Sequence, residues 1–161
     1  MKRSLRSGIG FGWTSGIITT LGLMIGLHSG THSKLVIIGG ILTIAIADAF
    51  SDALGIHLSE EFEGEHTPKE VREATVFTFI SKFFFSITFI VPLLLLPFPL
   101  AIVASIIYGM VLLCILSFWI SKMRGEPAWK VILEHVSIAI AVVVAAHLIG
   151  DWISEMIKHG S

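Results

Sequence analysis

The sequence predicts an all-α integral membrane protein, a bundle of five transmembrane helices with the N-terminus cytoplasmic and the C-terminus on the far side. Three observations carry this prediction. Of 161 residues, 54% are hydrophobic and 14% charged, against roughly 45–50% and 25% in soluble domains, and the mean hydropathy is +0.87. The excess lies in five runs, each long enough for the roughly 20 apolar residues that carry a helix across the hydrocarbon core. Lysine and arginine are alternately rich and poor between those runs, as the positive-inside rule requires. No strand-like alternation competes, and residues 1–161 read as a single transmembrane domain.

The first span runs from about residue 8 to 27 and carries no charge. Its glycines form two rows at four-residue spacing, Gly8, Gly12, Gly16 and then Gly22, Gly26, Gly30. Small residues so spaced let two backbones approach closely. The span is therefore expected either at a dimer or pore seam or tightly packed inside one protomer. In the seam reading Ser15, Thr19 and Met24 line the path of an ion.

The second span, from about 35 to 58, holds Asp48 and Asp52 one above the other on a single helix face. A carboxylate at the bilayer centre costs about 2.5–3.5 kcal/mol on insertion scales, so the pair must be wet, paired or bound to a cation. If the helix leaves the membrane near His57, Asp52 lies about 8 Å inside and Asp48 about 14 Å inside. Lys82 on the third span falls at a similar depth and can neutralise one of them. Two carboxylates against one lysine leave a negative charge over.

An acidic insert at 59–73 follows, with Glu60, Glu61, Glu63, Glu65, Glu70, Glu73 and His66. If the helix continues past the membrane, His57, Glu60 and Glu61 share a face. Gly64 breaks that helix. Thr67-Pro68-Lys69-Glu70 reads as a capping box with Pro at the first helical position, so the next helix starts outside the hydrocarbon. The insert is either a metal-collecting patch at the mouth of a pore or a solvated charged turn. In the metal reading the ligands are Asp48, Asp52, His57, Glu60, Glu61, Glu63 and Glu65. Such oxygen donors suit hard or borderline divalent cations.

The third span, about 75 to 96, is rich in Phe and ends on Pro92 and Pro97, a pattern of packing rather than chemistry. The fourth, about 100 to 120, is nearly featureless. The fifth, about 131 to 153, opens with Glu134 and His135 and closes with His147, Asp151 and Glu155 at successive steps of four. These last three read as a proton relay or as a structural pair.

Lys2, Arg3 and Arg6 precede the first span, Lys69 and Arg72 follow the second, and Lys122, Arg124 and Lys130 follow the fourth. The intervening loops carry only Lys34 or no cation, which sets the orientation. The basic start and following apolar run could be cut as a signal peptide, but the run is long, Gly-rich and without an A-x-A site, so it reads as a retained span. A formal net charge of −1 gives no basic footprint, and no nucleic-acid partner is expected. The single Cys114 builds neither a disulfide framework nor a thiolate metal site. G-x-S-x-G, H-E-x-x-H and phosphate-cradling glycine loops are all missing, so no enzyme and no tightly bound cofactor is expected.

Two stretches resemble a known family. Ser15-Gly16-Ile17-Ile18-Thr19-Thr20, with Gly22 and Gly26, is similar to the D-G-I/V-x-T-T…G motif on the first helix of the vacuolar iron transporter (VIT) family. Ala47-Asp48-Ala49-Phe50-Ser51-Asp52-Ala53-Leu54-Gly55, with Ser59-Glu60-Glu61, resembles that family's G-A-x-S-M-A-x-G-E-Y…S-E segment on its second helix. The match is one of motifs over the first two spans and of topology over the rest, as in a divergent, short, prokaryotic-type member of a cell membrane. The resemblance implies a homodimer with a pore between subunits, lined by the first two helices, moving Fe²⁺ or Mn²⁺ in exchange for protons. Ser15 stands where the family has an acidic residue, Asp52 where it has methionine, and Ile56 where it has glutamate. Asp48 has no counterpart, and the insert is shorter than the family's metal-binding domain. A carboxylate in place of a thioether shifts preference toward Mn²⁺- or Mg²⁺-like ions.

Two classes of function follow: a divalent-cation transporter, or a non-transporting membrane scaffold or metal sensor with a structural Asp–Lys pair. A wet path reaching Asp48 and Asp52 between protomers favours the first. A dry bundle with Lys82 bridging both aspartates favours the second.

Overall fold

The computed structural model describes residues 3–160. Lys2, one of the basic residues that set the expected orientation, lies outside the described residues. Six helices follow one another: α1 (Arg3–Thr31), α2 (Lys34–Glu63), α3 (Pro68–Thr88), α4 (Ile90–Leu95), α5 (Phe98–Arg124) and α6 (Ala128–Gly160). No strand occurs among the described residues. Five stretches are long and apolar enough to cross a membrane: Leu5–Thr31, Lys34–Glu63, Pro68–Leu95, Phe98–Arg124 and Ala128–His159. The chain is a multi-pass integral membrane protein.

Every span outruns its apolar run, because the helix ends are set by caps in the polar flanks rather than by hydropathy. α2 continues to Glu63 and stops at Gly64, whose φ of 67° is the left-handed conformation a C-terminal glycine adopts freely. α3 opens on the capping box expected at Thr67: its hydroxyl accepts from the Glu70 N–H at 3.4 Å, and the Glu70 carboxylate accepts from the Thr67 N–H at 3.1 Å. The acidic insert expected at 59–73 is therefore two helix ends joined by four residues, 64–67. The third span breaks at Phe89. Pro92 has no N–H to offer the Thr88 carbonyl, and the Phe89 N–H tightens back onto Ser86 at 3.2 Å.

α1 forms the centre of the bundle. Its first glycine row lies on α3, with Gly8 against Ala74, Gly12 against Thr78 and Gly16 against Lys82. Its second lies on α6, with Gly22 against Val142, Gly26 against Ala146 and Gly30 against Gly150. Each step of four along α1 meets a step of four along its neighbour, so α1 runs parallel to α3 and to α6. Thr78 Oγ1 also donates to the Gly8 carbonyl at 3.2 Å, a cross-helix bond of the kind small-residue seams admit. The glycine rows expected at a dimer or pore seam are thus filled inside the protomer. Met24, expected to line the path, is fully buried with Ile17, Leu21, Ile37, Ile41, Phe89 and Leu93, since a central helix leaves that side no open surface.

α2 differs. Six small residues at four-residue spacing, Gly39, Thr43, Ala47, Ser51, Gly55 and Ser59, all lie on its exposed side. A Cβ added at Gly39 or Gly55 meets nothing within 4 Å.

Candidate metal site

Two polar clusters are strung along α2. Asp48, Asp52 and Glu60 fall on one face at multiples of four residues, because 3.6 residues per turn brings every fourth residue back to the same side. α3 runs antiparallel beside that face and supplies the partners.

The inner cluster is built around Lys82. Its side chain is 1% exposed, and its Nζ lies 2.5 Å from Asp48 Oδ2 and 2.5 Å from Asp52 Oδ2. It also donates to Ser15 Oγ at 2.9 Å. One ammonium thus joins α1, α2 and α3 through three oxygens and leaves one negative charge uncompensated. The expectation that Lys82 neutralises one aspartate becomes contact with both, the feature that favours a structural pair. The site is nevertheless not enclosed by the protomer. Asp48 keeps 33% and Asp52 19% of its side-chain surface open, beside Ala47 and Ser51 of the small-residue row. Thr19, expected on the path, donates back to the Ser15 carbonyl at 2.8 Å within α1.

The outer cluster lies at the α2–α3 turn, about 12 Å along the helix from Asp52 at the helical rise per residue. Glu60, Glu63 and His66 each bring one ligand atom to within 4.8 Å of the others. Glu60 is buried and His66 nearly so. Their Oε2 and Nδ1 atoms approach to 2.7 Å yet lack the alignment of a hydrogen bond, and both are shielded from solvent. Two such lone-pair donors facing one point, with a third beside them, form a set that suits a borderline divalent cation.

The remaining expected ligands do not join this set. His57 bonds Thr75 Oγ1 at 2.9 Å and reaches Glu61 at 3.3 Å, forming a separate pair on the α2–α3 seam. Glu65 is exposed in the loop and outside the three-residue group. His66 replaces them. Its signal in the sequence was an imidazole three residues after Glu63, across a glycine turn that folds it back over the helix end.

At the opposite end of the bundle, His147 on α6 contacts Ser29 Oγ on α1 and lies 3.4 Å from Asp151. His135 pairs with Ser117 of α5 at 2.8 Å.

Residues 5–76 match the model of the VIT family. That region takes in α1, α2 and the start of α3, and so includes Ser15, both aspartates and the Glu60–Glu63–His66 group, while Lys82 lies beyond it. No curated protein and no solved structure matches the chain.

Proposed function

We propose, from the match of residues 5–76 to the VIT family model, that the chain is a metal-ion transporter of that family and carries a divalent Fe²⁺- or Mn²⁺-like cation. The observation that carries the reading is the line of acidic groups on one face of α2. Glu60, Glu63 and His66 collect the ion at the cytoplasmic mouth, and Asp48 with Asp52 receives it inside the bilayer. Carboxylate oxygen predominates in both clusters, which favours Mn²⁺ and Fe²⁺ over softer ions. Exchange against protons belongs to the same proposal.

The partner is a second copy. Partly exposed carboxylates facing lipid are costly, and the row from Gly39 to Ser59 beside them offers a surface on which another α2 can pack closely. Pairing through α2 sets the aspartates of two protomers along a shared path. α1 contributes Ser15 from behind rather than a wall of its own.

A scaffold or metal sensor is the second reading, and the Lys82 bridge favours it. Uptake of Mn²⁺ into proteoliposomes separates the two. Transport predicts uptake by the wild type and its loss in Asp48→Asn/Asp52→Asn. Equal uptake by both proteins would refute the role of the aspartates. Metal binding at the mouth with no uptake would establish the sensor.

A further inference from the structure

Lys82 is the only buried lysine or arginine among the residues whose burial is described. An ammonium has three N–H donors, and this one has three oxygens around it, from Asp48, Asp52 and Ser15. A divalent ion bound to the same carboxylates would sit against a positive charge already within 2.5 Å of both. The two cations repel each other and compete for the pair.

They also approach it from opposite sides. Lys82 comes from α3 inside the bundle, with 1% of its side chain exposed, whereas Asp48 is 33% open toward the outer face of α2. We infer that Lys82 is a tethered competitor of the transported cation: its ammonium fills the Asp48–Asp52 pair when no cargo is bound, and a divalent ion enters only by displacing it. The inference rests on the transport reading for its cargo, while the competition itself is a property of equilibrium binding. Displacement leaves Ser15 as the ammonium's remaining partner and removes the polar tie between α2 and α3 at this depth, the His57–Thr75 contact nearer the turn remaining. Arrival of the ion is thereby coupled to helix packing. The residual negative charge of the filled pair keeps the site attractive to cations while blocking it to weak ones.

The test is Mn²⁺ titration of purified full-length protein, read by the electron paramagnetic resonance of free Mn²⁺. All variants carry Glu60→Gln and His66→Ala, so that binding at the mouth is removed. Lys82→Met should bind Mn²⁺ about tenfold more tightly or better, since it leaves two carboxylates without a counter-charge. Adding Asp48→Asn/Asp52→Asn should erase the gain, and Lys82→Arg should bind as weakly as the lysine parent. Unchanged affinity in a Lys82→Met protein that remains monodisperse would overturn the inference, as would a gain that survives loss of both aspartates. Should Lys82→Met not fold, Lys82→Ala gives a second measurement. Its vacated space admits methylammonium, which should weaken Mn²⁺ binding in the variant and not in its parent; no effect overturns the inference. Tight binding by Lys82→Met without uptake by the wild type would sink transport and leave the competition standing.

Discussion

At the scale of single residues, the chain places charge where solvation is poorest and satisfies it with few partners. Removing one member of a buried ion pair typically costs 3–5 kcal/mol, because the other is left uncompensated. Asp48, Asp52 and Lys82 are therefore held together whatever else they do. Depth alone made the Asp–Lys contact legible in the sequence, since 52 and 82 lie at similar distances from the α2–α3 turn. That one ammonium reaches both carboxylates was not legible. It depends on the reach of the Lys82 side chain from α3 to two successive turns of α2. His66 was visible only as one imidazole in an acidic segment, and the Gly64 turn that brings it onto Glu60 is a matter of three dimensions. If Glu60, Glu63 and His66 hold an ion, His66→Ala should weaken Mn²⁺ or Co²⁺ binding at the mouth by about tenfold or more, roughly 1.4 kcal/mol. Isothermal titration of the purified protein measures this. Glu65→Gln, outside the group, should leave the affinity unchanged.

At the scale of elements, glycine rows look alike in sequence and differ in what covers them. The two rows of α1 were readable as close-packing surfaces, but spacing carries no information about whether the neighbour belongs to the same chain. The row on α2 was harder to find, because Gly39, Thr43, Ala47, Ser51, Gly55 and Ser59 mix four residue types around two aspartates. A paired substitution distinguishes the covered rows from the open one. A Cβ at Gly12 would run into the Thr78 carbonyl and crowd Lys82 N at 3.1 Å, so Gly12→Ala should destabilise the protein by about 1–3 kcal/mol, the range for overpacking. Gly39→Ala meets no neighbour within the protomer and should leave the protomer's stability unchanged or slightly raised, since Ala is the better helix former. Thermal unfolding in detergent separates the two. The caps were more legible: Gly64 and Thr67–Glu70 act as their types and spacing require, because capping depends on neighbours within one turn. The break at Phe89 follows from Pro92, although only the structure locates it three residues upstream.

At the scale of the whole molecule, five apolar runs, an odd number of crossings and an all-helical fold were within reach of composition and hydropathy. The arrangement around α1 was not, because amphipathic periodicity is weak when lipid and neighbouring helices are equally apolar. The open face of α2 gives the assembly a test. Gly39→Leu with Gly55→Leu should shift the protein from dimer to monomer in light scattering of detergent-solubilised material. The protomer's own stability should move by no more than about 0.5 kcal/mol, as for substitutions away from packed features. A dimer that survives both leucines would place the contact elsewhere.

The placement of α1 also bears on how the protein is made. α1 is synthesised before α6, yet Gly22, Gly26 and Gly30 find their partners at Val142, Ala146 and Gly150 on that helix. At roughly 5–20 residues per second of synthesis, that side of α1 waits on the order of ten seconds before α6 is there to receive it. Throughout that interval lipid, an insertion factor or a neighbouring chain must occupy the groove. Final closure thus waits on the synthesis of α6, and the helix that holds the bundle together is also the one whose packing is completed late.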